Sequence, residues 1–269
     1  MSKKILIVPD VHGRRFWHKP VMEYFGQVDR VIFLGDYLDP YEDEDGVSED
    51  ILANLVQILR LKMKDLEKVV LLKGNHDQHY SSSYFRMYGG GSRCDEANWQ
   101  IYNELFNRFK SLFQFAWLEE MSGQKYLFSH AGLTSYWINQ VNYRIWNLVD
   151  REISVDDQGI IDRINALDDS VDGQELLAIV GKYRSIFGEK TGSVLWADIR
   201  EHPLSSASMK YGLNKVFQVF GHTRMDGEEE DMLLSDHFAM VDTQKCFIIE
   251  EEAEEKIMTL KQFEDKENQ

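Results

Sequence analysis

The sequence predicts an α/β fold whose chemistry gathers at the carboxyl ends of strands, and three observations carry that prediction. Short runs of β-branched and large apolar residues recur at Ile5–Val8, Val31–Leu34, Val69–Leu72, Tyr126–Phe128 and Val216–Phe220. They do not alternate with polar residues, which suits strands covered on both faces. Each is followed at once by potential ligands: Asp10, Asp36, Asn75 with His76, His130, and His222. Stretches with helical spacing lie between them, and strands alternating with helices build sheets with sites at the strand ends.

Taken in order, Lys3 and Lys4 precede Ile5–Val8, an apolar stretch too short for a secretory signal that runs directly into Pro9-Asp10-Val11-His12. It reads as a first strand, and a cytoplasmic protein is expected. The second run enters Gly35-Asp36, and Glu42–Asp50 follows as an acidic loop. Ile51–Leu66 has apolar residues at helical spacing, and Val69–Leu72 then enters Lys73-Gly74-Asn75-His76. Ser81–Arg93 reads as a serine- and glycine-rich loop; its Gly89-Gly90-Gly91-Ser92 lacks the Gly-Lys-Ser/Thr of a phosphate-cradling loop. Glu96–Trp117 reads as a second helix, with Ile101, Leu105, Phe109 and Leu112 on one side. Tyr126–Phe128 enters Ser129-His130, polar helical material follows over Asp150–Arg184, and Val216–Phe220 enters Gly221-His222. Phe238–Val241 and Cys246–Ile249, joined by Asp242–Lys245, suggest a closing hairpin. With no internal repeat, one domain is expected over 1–269, with a helical insertion at about 135–190 and an acidic C-terminal tail at about 250–269.

Composition narrows the classes. In 269 residues, 43% hydrophobic and 12% aromatic against 28% charged and four prolines describe a globular protein. The 46 acidic and 30 basic residues give a net charge of -16, which argues against general binding to nucleic acid or an anionic membrane. No apolar run approaches the roughly 18 residues of a membrane span. Cys94 and Cys246 have neither disulfide-framework nor zinc-type spacing, so reduced thiols are expected.

Each ligand block has a plain structural explanation when taken alone. Asp10-Val11-His12 serves as a polar strand exit, Gly35-Asp36-Tyr37-Leu38-Asp39 as a turn closed by an Asx bond, and Gly74-Asn75-His76-Asp77 as a turn or helix cap. Five successive strand ends bearing oxygen or nitrogen ligands are more economically explained by two metal ions. A pair about 3.5–4 Å apart shares an oxygen ligand and holds a phosphoryl group while a metal-bound hydroxide attacks in line. Asp36 is positioned to be the shared ligand. His76 follows a proposed ligand and is matched to proton donation near neutral pH, with Asp39 able to hold its ring. His18 and His202 read as surface residues.

These blocks, D-x-H, G-D-x-x-D, G-N-H-[DE], H-[AG]-G and G-H in that order from Asp10 to His222, resemble the calcineurin-like metallophosphoesterase superfamily. Gly35-Asp36-Tyr37-Leu38-Asp39, Ser129-His130-Ala131-Gly132-Leu133 and Val194-Leu195-Trp196-Ala197-Asp198 look closest to the bacterial and phage phosphoprotein phosphatase branch. The resemblance implies a β-sandwich flanked by helices in α/β/β/α layers. It implies Asp10, His12 and Asp36 on one metal, Asp36, Asn75, His130 and His222 on the other, His76 as catalytic acid and Asp39 as its partner. Manganese, iron and zinc all suit such mixed ligands.

Two departures from the family pattern bear on substrate. Pro40-Tyr41 stands where eukaryotic members have Arg-Gly, so a phosphate-clamping arginine is missing; Arg200 is the expected substitute, with Arg14 and Arg224 behind it. His222 is followed by Thr223-Arg224, without the further histidine of many phosphodiesterases, which favours phosphomonoesters. The expected activity is therefore metal-dependent phosphomonoester hydrolysis, with serine/threonine protein phosphatase as one form of it. Hydrolysis of nucleotides or dinucleoside polyphosphates is a second reading, so the phosphorylated partner is a small molecule, a nucleotide or a phosphoprotein. A non-catalytic scaffold of the same fold is a third, which the presence of His76 disfavours.

Overall fold

The computed structural model describes residues 3–41, 50–88, 93–146, 156–202, 213, 215–224, 233–251 and 258–262. The first sheet begins with β1 (Lys4–Val8), β2 (Arg30–Phe33), β3 (Val69–Leu72) and β4 (Phe113–Gln114), all parallel. The second holds β5 (Ala116–Met121), β6 (Gln124–Ser129), β7 (Val216–Phe220), β8 (Leu233–Leu234) and β9 (Phe238–Met240), in the order β5-β6-β7-β9-β8. Strand β10 (Phe247–Glu251) returns antiparallel along the free edge of β1 and β11 (Met258–Gln262) pairs antiparallel with β10, completing the order β11-β10-β1-β2-β3-β4.

Strand periodicity assigns the faces. Ile5, Ile7, Ile32, Leu34, Val70 and Leu72 point from the first sheet into a core shared with Tyr126, Phe128, Val219, Ala239 and Val241 of the second. The intervening Leu6, Val8, Val31, Phe33, Val69 and Leu71 point the other way. There they meet α1 (His18–Tyr24) through Val21, α2 (Ile51–Lys64) through Leu55, Ile58 and Leu59, and a later helix through Tyr102 and Phe106. Beyond the second sheet, Leu127 and Ala116 pack under α6 (Ser135–Val141), α7 (Asp157–Asn165) and α8 (Val171–Leu177). Helix, sheet, sheet and helix thus form four layers. Each fully buried Leu, Ile or Val contributes about 1.5–3 kcal/mol, so covering both faces of β1–β3 outweighs the absence of a polar alternation.

Several local expectations are corrected. The helix expected over Glu96–Trp117 is α5 (Trp99–Arg108), followed by a 3₁₀ turn at Lys110–Leu112 and then β4 and β5. Phe113, Phe115 and Trp117 recur every second residue, and that strand period prevails where the helical one ends. Between the two strands, the backbone N–H groups of Phe115 and Ala116 donate to Asn165 Oδ1 at 2.8 and 3.0 Å. A helix beyond the second sheet thus pins the point where the chain changes sheets. Part of the loop expected over Ser81–Arg93 is α4 (Ser83–Tyr88), whose Phe85 is buried; Gly89 to Ser92 lie outside the described residues.

The closing hairpin is also corrected, since β9 belongs to the second sheet and β10 to the first. Two apolar strands around a short polar link look the same in sequence whether they pair or cross between sheets; here Gln244, at φ 60°, turns the crossing. The expected acidic tail at 250–269 is corrected in part, because Glu250 and Glu251 end β10 and Met258–Gln262 forms β11. Residues 263–269 lie outside the described residues. Neither cysteine forms a disulfide, and among the described residues no helix is long and apolar enough to cross a membrane.

Candidate metal centre

The carboxyl ends of β1, β2 and β3 meet those of β6 and β7, and the loops there are held in strained conformations. Among the described residues, eight non-glycine positions have positive φ, and four of them are His12 at 45°, Asp36 at 50°, Asp39 at 58° and His222 at 67°. Such conformations cost roughly 1–3 kcal/mol each and persist where the surroundings fix them. The surroundings do so here. His12 N donates to Asp36 O at 2.6 Å and Gly13 N to Tyr37 O at 2.9 Å, joining the first two loops beyond their strands. Buried Asp77, in the first turn of α3 (Asn75–Ser81), accepts from the backbone N–H of Asp36, Tyr37 and Gly74 at 2.7, 2.9 and 2.8 Å, which ties the second loop to the third. Gly35, at φ 111°, lets the loops touch, since a Cβ there would lie 2.4 Å from Gly74 N.

On this frame all six proposed ligands come together. The ligand atoms of Asp10, His12 and Asp36 form one group within 4.8 Å of one another, and those of Asp36, His130 and His222 form a second. Asp36 belongs to both. Its Oδ2 is 3.5 Å from Nε2 of His12 and 3.5 Å from Nε2 of His130. Asn75 Oδ1 and His222 Nδ1 each lie 3.0 Å from the same His130 Nε2.

The protonation pattern of this cluster fits cations. His12 Nδ1 donates to Leu38 O at 2.9 Å and His130 Nδ1 to Leu34 O at 3.0 Å, so in the neutral rings both Nε2 atoms carry lone pairs. Burial keeps the rings neutral, lowering His12 to about 3, and it lowers His130 and His222 as well. Asp10 is driven well above the usual carboxylate range by burial and by the nearby carboxylates of Asp242 and Asp36. Asp10 Oδ1 and His222 Nε2 are buried without a hydrogen-bond partner. With His130 Nδ1 donating to Leu34 O, its Nε2 lone pair faces the Oδ1 of Asn75 at 3.0 Å and the Oδ2 of Asp36 at 3.5 Å, an arrangement that positive ions relieve. Two glycines leave the room: a Cβ on Gly74 would lie 2.0 Å from Asp36 Oδ1, and one on Gly221 2.2 Å from Asp10 Oδ1.

Beside the cluster, His76 Nδ1 pairs with Asp39 Oδ2 at 2.7 Å, which leaves Nε2, 3.5 Å from Arg93 Nη2, as the nitrogen that faces a substrate. Tyr80 Oη donates to the other oxygen of Asp39 and itself accepts from Asp95 N at 2.6 Å, so the carboxylate is held from behind. Burial pushes the His76 pKa down, but Asp36 and the hydrogen bond to Asp39 push it up, and the net direction is up.

The arginines are arranged differently from expectation. Arg200, 57% exposed in its side chain, donates through Nε and Nη2 to the two oxygens of Asp198 at 2.6 and 2.9 Å and lies over the Tyr183 ring at 4.5 Å. Arg14 is buried, with Nη2 and Nε donating to the carbonyls of Asp10 and Val11 at 2.9 and 3.2 Å, so it holds the first loop. Arg93 reaches the proposed proton donor, with its Nη2 3.5 Å from His76 Nε2 and its Cζ 3.3 Å from the Tyr41 ring centroid. Arg224 lies over the same ring at 4.9 Å. Arg184 braces the last loop, donating to His222 O at 3.2 Å and Thr223 Oγ1 at 2.8 Å. The departure at Pro40-Tyr41 was the only signal in sequence for this grouping. His18 is exposed, but His202, expected at the surface, is buried, stacked on Phe220 at 4.6 Å with Nε2 donating to Ala131 O at 3.0 Å.

No sequence among the curated proteins matches the chain. Among solved structures, Yfce, a phosphoesterase from E. coli, aligns at 16% identity and TM-score 0.28 over 47% of this chain and 57% of its own. A metallophosphoesterase from Sphaerobacter thermophilus aligns at 12% identity and TM-score 0.41 over 99% of this chain and 90% of its own. The profile of the calcineurin-like phosphoesterases matches residues 3–223, from the first strand to the loop after β7, and the chain belongs to that family.

Proposed function

We propose that this protein is a metal-dependent hydrolase of phosphomonoesters, with Asp10, His12, Asp36, Asn75, His130 and His222 as the ligands of two cations and His76 as the proton donor. The observation that carries the reading is the placement of Asp36 Oδ2 at equal distances from the Nε2 lone pairs of His12 and His130. Cations bound there supply Lewis-acid stabilisation of phosphoryl charge and an activated water. The chain's own residues do the rest. The ligand cluster orients the phosphoryl group, Asp39 fixes His76 through Nδ1, and the Nε2 proton passes to the leaving oxygen as its bond to phosphorus breaks. The hydroxyl of the attacking water stays on phosphorus, and inorganic phosphate is the product.

Turnover of an aryl phosphomonoester and the matching diester, each with added manganese and with chelator, tests this reading. Monoester hydrolysis that the chelator abolishes and that exceeds diester hydrolysis is expected. Faster diester hydrolysis, or turnover indifferent to chelation, overturns it.

A further inference from the structure

Tyr41 stands at the rim of the ligand cluster, edge-on to His12 with ring centroids 5.3 Å apart. The two guanidiniums against it come from different loops, Arg93 ahead of α5 and Arg224 after β7. The two like charges share one aromatic ring, and the carboxylates of Asp242, Asp10 and Asp36 act on the same ring. Arg93 carries an unmet demand as well, because its Nη1 is buried without a hydrogen-bond partner. A guanidinium left so is satisfied best by an anionic acceptor.

The position of Arg93 says which part of a substrate supplies that acceptor. Asp39 occupies His76 Nδ1, so Nε2 is the atom that meets the leaving oxygen, and Arg93 Nη2 lies 3.5 Å from that Nε2. The transferred phosphoryl belongs to the ligand cluster, whereas Arg93 neighbours the leaving group.

We propose that Arg93, seated on Tyr41 beside Arg224, forms a subsite for negative charge on the leaving group close to the scissile oxygen. Two chemistries meet that description: a second phosphate, as in a phosphoanhydride, and a carboxylate beside the alcohol carbon. This rests on the reading of His76 as the proton donor in phosphoester hydrolysis. In the step, the hydroxyl of water bonds to phosphorus while its other proton passes to solvent, the bond from phosphorus to the leaving oxygen breaks, and His76 Nε2 gives that oxygen a proton, which solvent later restores to His76. The remaining negative charge of the leaving group is held by Arg93.

The test compares Arg93→Ala and Arg93→Lys with the parent on inorganic pyrophosphate, phosphoglycolate and glycerol 2-phosphate, whose leaving group is neutral. Relative to its effect on glycerol 2-phosphate, Arg93→Ala should lower kcat/KM about 10- to 100-fold further for pyrophosphate or phosphoglycolate, the range for a hydrogen bond to a charged group. Arg93→Lys should recover part of the loss, and whichever substrate shows the excess identifies the source of the charge. Calorimetric binding of methylenediphosphonate, phosphonoacetate and orthophosphate to the manganese-loaded protein gives a readout free of turnover. There the alanine variant should lose affinity for one of the first two at least tenfold more than for orthophosphate. Selective loss of binding in a protein that hydrolyses none of the substrates would remove the hydrolase reading and leave the subsite standing. Equal losses across all substrates and ligands overturn the subsite.

Discussion

Asp36 Oδ2 and His130 Nε2 face each other at 3.5 Å, and with His130 Nδ1 committed to Leu34 O neither atom carries a hydrogen. His12 stands in the same relation to the same oxygen, so one carboxylate atom serves both ligand groups. Asp36→Asn replaces one of two equivalent oxygens with an amide that donates and no longer carries charge. The variant should bind at least one manganese equivalent fewer than the parent, whereas His12→Ala should weaken one site and spare the other. Metal content after gel filtration measures this, and two tightly held ions in Asp36→Asn would show that Asp36 is not shared.

The proposed role of His76 as proton donor predicts a pH signature. His76 sits above its ordinary pKa because Asp36 and Asp39 together outweigh burial. A donor must be protonated before the reaction, so activity falls as pH rises through its pKa. Asp39→Asn removes one raising influence, and the alkaline limb of kcat should move to lower pH. The loss at neutral pH should be smaller than the roughly 10²–10⁴ expected for His76→Asn, which removes the donor itself. An alkaline limb unmoved by Asp39→Asn would assign it to another group.

What the sequence made legible follows from burial. Runs such as Ile5–Val8 are apolar throughout because Ile5 and Ile7 meet the second sheet while Leu6 and Val8 meet the helices, so the strands and their order of ligands could be read directly. Asp10, His12, Asp36, Asn75, His130 and His222 follow those strands immediately, and the structure brings them together. The Tyr41, Arg93 and Arg224 grouping was hidden because it depends on contacts between three loops with no shared spacing. Arg200 looked suitable from its place after Trp196, yet Asp198, two residues earlier, takes its guanidinium. Sequence position gave the neighbourhood of a charge but not its partner.

The glycine cradles give a steric test that does not alter any ligand. Neither Gly74 nor Gly221 has a positive φ, so alanine is acceptable to the backbone and the cost falls on Asp36 and Asp10, whose oxygens would lie 2.0 and 2.2 Å from the new carbons. Gly74→Ala and Gly221→Ala should each weaken manganese binding at least tenfold and destabilise the fold by about 1–3 kcal/mol, the usual cost of overpacking. Gly26→Ala, with nothing within 4 Å of the added carbon, is the control. Metal affinity equal to the control would mean that the loops yield freely.

Buried His202 predicts how stability responds to acid. Its pKa is lowered to about 4 by burial, against which the carbonyl of Ala131 and the charge of Asp198 work only in part. Gly132, at φ 80°, leaves the ring its space, since a Cβ there would lie 2.5 Å from His202 Cε1. In the unfolded chain the ring titrates near 6.5, so above that pH both states are neutral and the group adds no pH dependence. Between about 6.5 and about 4 the unfolded chain takes up a proton that the folded protein refuses, and stability falls by about 1.4 kcal/mol per pH unit. His202→Gln can still donate to Ala131 but does not titrate. Urea unfolding of the metal-free proteins should therefore show the stability difference between parent and variant shifting by about 1.4 kcal/mol toward the variant from pH 7.5 to 5.5. A difference that stays constant over that interval would mean that His202 is protonated in the folded protein, with its ring turned away from Phe220.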